Sequence, residues 1–204
     1  MAATLLVGAS LLGATLAAPR GSNAFYVVGF ALAAVWLAGS LASGPLHLGR
    51  LAEAEAGGDD ATPPGRRAVV GPLLLGVASF LMFLGLYLVA RELPGLSGAL
   101  ESVLGKADAG ALGLVLGLAL TNAVAEEVFF RGALHAAVGD RRAPVVATGI
   151  YVLVTVASLN AALVAAAAVM GTVFTLERLA TRGILAPIVT HLTWSALMLL
   201  ALPR

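Results

Sequence analysis

Leu118-Ala119-Leu120-Thr121-Asn122-Ala123-Val124-Ala125-Glu126-Glu127-Val128-Phe129-Phe130-Arg131-Gly132 is the stretch that decides how this chain must be read. It is strongly apolar, yet it carries three charges within six residues, Glu126, Glu127 and Arg131. At the centre of a membrane helix each charge costs roughly 2.5–3.5 kcal/mol, or on the order of 8–10 kcal/mol together if all three faced lipid unpaired. They must therefore face protein or a water-filled cavity. As a helix, the segment puts Glu127 and Arg131 at i and i+4 on one face, where carboxylate and guanidinium can pair, with His135 one turn further along. Glu126 points about 100° away, with Asn122 one turn before it. One glutamate thus has a cationic partner and its neighbour has none. A fixed pair beside a carboxylate able to take a proton from water is the division that hydrolysis needs. A structural clamp would explain the ion pair alone; a second glutamate beside it in mid-membrane points to function.

The rest of the chain supplies the membrane. Of 204 residues 60% are hydrophobic and 11% charged, against about 45–50% and 25% in soluble domains, and disorder is excluded with them. The net charge of +1 leaves no basic stripe for nucleic acid. No cysteine means no disulfide, thiolate nucleophile or Cys-ligated metal. Runs free of Asp, Glu, Lys and Arg occupy 1–19, 21–49, 68–90, 109–125, 143–176 and 183–203. About 20 apolar residues span a bilayer as a helix, and the fifth run accommodates two helices reversing at Ser158-Leu159-Asn160. The expectation is an all-α polytopic bundle of about seven transmembrane helices, near 3–18, 24–44, 68–90, 109–138, 143–158, 161–178 and 184–202. The whole of 1–204 reads as one membrane domain: three unspecific helices with their loops over 1–108, then a core over 109–202.

Residues 1–18 lack the basic start of a signal peptide and read as a first membrane helix. Residues 45–67, including His47, read as a solvated loop, and 91–108 as a segment along the membrane surface. Arg50, Arg66, Arg67, Arg141, Arg142, Arg178 and Arg182 fall on one side, Arg20, Arg91, Lys106 and Arg204 on the other. That bias places the first group, and the N-terminus, in the cytoplasm. Gly113-x-x-x-Gly117 reads as a close helix-packing face, within the fold or in a homo-oligomer. Trp36 and Tyr87 read as packing or interface residues.

The last apolar run holds a second polar pattern, Ala186-Pro187-x-x-x-His191-x-x-x-Ser195. Pro187 is expected to kink that helix. His191 and Ser195 share a face, and Trp194 adjoins it. His191 lies roughly 13 Å inside the cytoplasmic end and the glutamates roughly 20 Å, comparable depths that allow convergence.

Glu126-Glu127-x-x-x-Arg131 followed by His191-x-x-x-Ser195 resembles the CPBP family, also called Abi or CAAX-protease-like, of glutamic intramembrane endopeptidases; the resemblance covers roughly 109–202. It implies that Glu126 activates water, that Glu127 and Arg131 support it, and that His191 with the residue four positions on stabilises an oxyanion. Two departures stand out. The family's middle Phe-x-x-x-His motif is here Tyr151-Val152-Leu153-Val154-Thr155, with Thr155 for His, and Ser195 replaces Asn or Asp.

The leading expectation is therefore a peptide-bond hydrolase in a bacterial cell membrane, acting on a membrane peptide or protein from a site in the cytoplasmic half. It uses no cofactor and no metal. The alternative is a catalytically impaired relative that binds a membrane peptide or partner. A proton-coupled transporter ranks below both, because no inverted repeat is visible.

Overall fold

The computed structural model describes residues 1–44, 64–94, 96–108 and 111–202. Among these the regular structure is all helical: α1 Ala2–Ala17, α2 Asn23–Ala42, α3 Pro64–Ala90, α4 Leu96–Asp108, α5 Leu112–Val138, α6 Ala143–Val156, α7 Ala161–Thr181 and α8 Leu185–Ala201. Seven of the eight match the expected helices. Four stretches, Asn23–Ala42, Val69–Ala90, Leu112–Val138 and Ala161–Thr181, are long and apolar enough to cross a membrane, whereas α1, α6 and α8 are shorter apolar helices. The eighth helix, α4, occupies the segment expected along the membrane surface. His47, Arg50, Arg204 and most of the expected 45–67 loop lie outside the described residues.

Local chemistry sets the boundaries. The Ser22 side chain caps α2 by accepting from the Phe25 N–H, and Asn160 caps α7 by accepting from the Leu163 N–H at 3.0 Å. The reversal between α6 and α7 falls at Ser158-Leu159-Asn160 as expected, with Leu159 in the left-handed region at φ 52° and almost wholly exposed. The expected kink at Pro187 has no cause, because α8 starts at Leu185 and Pro187 stands in its first turn. No helical donor is lost there. The carbonyl of Gly183, four residues earlier, instead accepts from the Thr181 hydroxyl at 3.2 Å.

Glycine lets α1 and α2 meet closely: a Cβ on Gly8 would run into the Trp36 indole. Trp36, itself buried, packs against Phe129 and Phe130 with ring centroids 4.9 and 5.1 Å apart, seating α5 against α2. Gly113 and Gly117 are different. Both are exposed with nothing within 4 Å of a built Cβ, so no described helix of this chain uses that face.

Candidate active site

The site grows out of an irregular stretch of α5. Residues Glu127–Leu134 wind as a π-helix, and all eight are buried. π turns are rare and recur at functional sites. This one lies where the helix is enclosed all round: Phe129 and Phe130 face Trp36 of α2, while Glu127 and Arg131 reach toward α7 and α8.

Glu127 is fully buried and acts as the hub. Its Oε1 accepts from Arg131 Nη1 at 3.3 Å and lies 2.9 Å from His191 Nδ1. The i,i+4 pair expected from the sequence is therefore present, and His191 converges on it from 64 residues away. Arg131 is fully committed. Its Nη2 donates to the Gly171 carbonyl at 2.9 Å, and its guanidinium lies over the rings of Tyr151 at 4.6 Å and Phe174 at 5.2 Å. Phe174 also stacks on the His191 imidazole, 4.5 Å between centroids. Gly171 is required at this crossing because a Cβ would meet Tyr151 at 2.9 Å.

Glu126 is held differently. It is half-buried, and its Oε2 accepts from the Tyr151 hydroxyl at 2.9 Å. Its Oε1 takes no hydrogen bond from the described residues, although His191, Glu127 and Arg131 are all within electrostatic range.

The other expected residues divide. Tyr151 touches Glu126, but the Thr155 hydroxyl turns back on its own helix and donates to the Tyr151 carbonyl at 2.9 Å. Asn122 donates to the Gly29 and Leu118 carbonyls, tying α5 to α2 rather than reaching Glu126. Trp194 lies 5.9 Å from the His191 ring and 5.2 Å from Phe83, with its buried Nε1 unpartnered among the described residues. Ser195 stands half-buried one turn beyond His191 and makes no hydrogen bond with the described residues. His135 is buried at the end of α5 against Asp140 at 2.8 Å, roughly 12 Å along the helix from Glu127.

Two charged residues of this neighbourhood escape the sequence reading. Arg178, counted there as a connection arginine, is buried and donates from Nε to the Arg131 carbonyl at 3.1 Å. Glu177 is half-buried with Oε1 2.7 Å from the Thr190 hydroxyl, which is also 3.0 Å from the Pro72 carbonyl. Their signal was adjacency: Glu177-Arg178 closes an apolar helix one turn before its end, a place that reads equally well as the start of a loop.

No curated protein and no solved structure matches the chain. Residues 108–197 of this integral membrane protein, which carry every group of the Glu126–Glu127–His191 cluster, match the family model of type II CAAX prenyl endopeptidase Rce1-like proteins, in agreement with the resemblance of the two motifs to the CPBP, CAAX-protease-like family.

Proposed function

We propose that the protein is an intramembrane endopeptidase that hydrolyses a peptide bond of a membrane-associated peptide or protein with water activated by Glu126. The observation that carries this reading is the unequal treatment of adjacent glutamates. Glu127 is wholly enclosed, with Oε1 shared by Arg131 and His191 and Oε2 buried without a partner among the described residues, whereas Glu126 is only half-buried and keeps Oε1 free of protein donors. An ionised Glu127 accepting from Arg131 can bond His191 only if Nδ1 carries a proton, a tautomer inferred from this network. That leaves Nε2 for chemistry. In the neutral ring it accepts a hydrogen bond from the attacking water and orients it, the task of the missing middle histidine; in the imidazolium it donates to the oxyanion.

Water bound at Glu126 Oε1 gives up its proton as its oxygen attacks the scissile carbonyl carbon. The proton then passes from Glu126 to the leaving amine nitrogen as the C–N bond breaks. Ser195 is a second donor one turn from His191. No cofactor or metal enters this scheme. The arginine bias puts the N-terminus in the cytoplasm and the site in the cytoplasmic half of a single membrane domain, with 109–202 as its catalytic core.

The second reading, a binding protein without catalysis, draws on Thr155, whose hydroxyl is spent on its own helix. Profiling protein termini in membranes of cells expressing wild type or Glu126→Gln at equal levels separates the two. Termini present with wild type and absent with the variant support proteolysis and name its substrates. Identical profiles, with both proteins folded, support the binding reading; Thr155→His then tests whether the middle histidine restores cleavage.

A further inference from the structure

The other end of the molecule carries features that the proteolytic reading leaves unused. Arg20, after α1, and Lys106, on α4, stand together beside a polar pocket of about 200 Å³ whose wall includes Ser102, Ser158 and Asn160. Both cations are tethered to backbone, and Lys106 also lies over the Phe25 ring, 5.9 Å from its centroid. Arg20 donates to the Glu101 carbonyl at 3.3 Å and passes over Gly105, and the Lys106 ammonium bonds the Ala18 carbonyl. Neither pairs with a carboxylate among the described residues. Lys106 lies on a helix outside the candidate spans, and its ammonium is held below the usual lysine range, first by burial and then by Arg20.

The pocket abuts an apolar groove of about 360 Å³ between α3, α4, α7 and α8. Val103 lines both. The sequence of α4 explains this shared wall: Leu96, Leu100, Val103 and Leu104 recur at helical spacing on the groove side, while Ser102 and Lys106 face the polar pocket. Asn160 fixes α4 in that attitude, donating to the Ala99 carbonyl and the Ser102 hydroxyl, each at 2.8 Å. Phe83 and Trp194 line the groove roughly 15 Å along α3 from its Leu93 end.

Two uncompensated cations at a membrane boundary, joined to an apolar trough, fit one molecule with an anionic head and a hydrocarbon tail. We propose that Arg20 and Lys106 with the groove behind α4 form a binding site for an anionic phospholipid, its phosphate on the two cations and an acyl chain along the groove toward Trp194. Its cationic end is built from residues outside the Glu126–Glu127–His191 cluster, its groove ends at Trp194 beside His191, and the proposal does not depend on the protease reading.

Native mass spectrometry of the full chain, released from nanodiscs of equal phosphatidylglycerol and phosphatidylcholine with identical acyl chains, tests the site. Wild type is expected to retain phosphatidylglycerol about tenfold over phosphatidylcholine. Arg20→Gln with Lys106→Gln abolishes that preference, and Ala162→Phe, which fills the groove, lowers retention of the lipid. Arg91→Gln, an exposed charge change, alters neither. Equal retention of both lipids by wild type, or an undiminished preference in the double variant, overturns the proposal. So does displacement of the lipid by equimolar inorganic phosphate or by an apolar peptide with a free carboxylate, which would reassign the site to a free anion or a peptide. Should the double variant not fold, phosphatidylglycerol bearing a photoreactive acyl chain is crosslinked to wild type. Labelling of the α3, α4 and α7 residues that line the groove supports the assignment; labelling spread evenly over the lipid-facing surface overturns it.

Discussion

The contact of α1 with α2 and the contact of α5 with α7 and α8 are both tight, but different physics holds them. Between α1 and α2 the contact is apolar and shaped by glycine, with Gly8 under Trp36. Around α5 it is polar: Glu127, Arg131 and His191 are buried, and Arg131 donates to the Glu127 side chain of its own helix and to the Gly171 backbone of α7. Apolar packing is non-directional and tolerates many sequences. A buried ionic network is directional, and loss of one member leaves the others unpaired. The first contact seats the second, and only the second constrains residue identity.

Removing the hub should break this contrast most. Glu127→Ala strands both Arg131 and His191 in the interior, and unfolding in nanodiscs is expected to show a loss of about 3–5 kcal/mol. A smaller loss of about 1–3 kcal/mol is expected for Gly8→Ala, since the new methyl must displace Trp36. Comparing the two by thermal unfolding separates directional from shape-based stabilisation; equal effects would erase the distinction.

Tyr151→Phe sharpens the comparison within the site. The ring stays against Phe130 and Arg131 while the hydroxyl on Glu126 is lost. Turnover should fall about tenfold, the worth of one hydrogen bond to a charged group, with unfolding nearly unchanged.

The smallest effect belongs to the turn after α5. His135 holds the exposed Asp140 carboxyl below its ordinary value of 3.8, chiefly through their hydrogen bond. A depressed folded-state pKa gives stability that is present above the unfolded value and lost as pH falls through the folded one. Thermal unfolding of Asp140→Asn should therefore lie slightly below wild type at neutral pH and converge with it only below about pH 4.

Much of the bundle was legible because charge-free runs and the Ser158-Leu159-Asn160 break are strong signals in an apolar chain. Glu127–Arg131 was legible because helical spacing allows it, and His191 because its depth matched. What spacing could not give was the partner of each remaining group. The π winding of 127–134 has no sequence signature, and a hydroxyl such as that of Thr155 can satisfy itself on its own helix. Tyr151 shows the complement. The motif that lacks a histidine at 155 has a hydroxyl one turn earlier, and that hydroxyl reaches Glu126. Pro187 misled because its effect depends on where the helix starts, a boundary that composition does not mark.

The most direct test of the account sets Glu126→Gln beside wild type in one preparation, measuring cleavage of a substrate named by the termini profile and the unfolding midpoint together. We expect cleavage to fall by about 10²- to 10⁴-fold while the midpoint stays near that of wild type, because the one side-chain hydrogen bond of Glu126 among the described residues is to the Tyr151 hydroxyl, which a Gln carboxamide oxygen can still accept. Retained cleavage by a folded Glu126→Gln protein would contradict it.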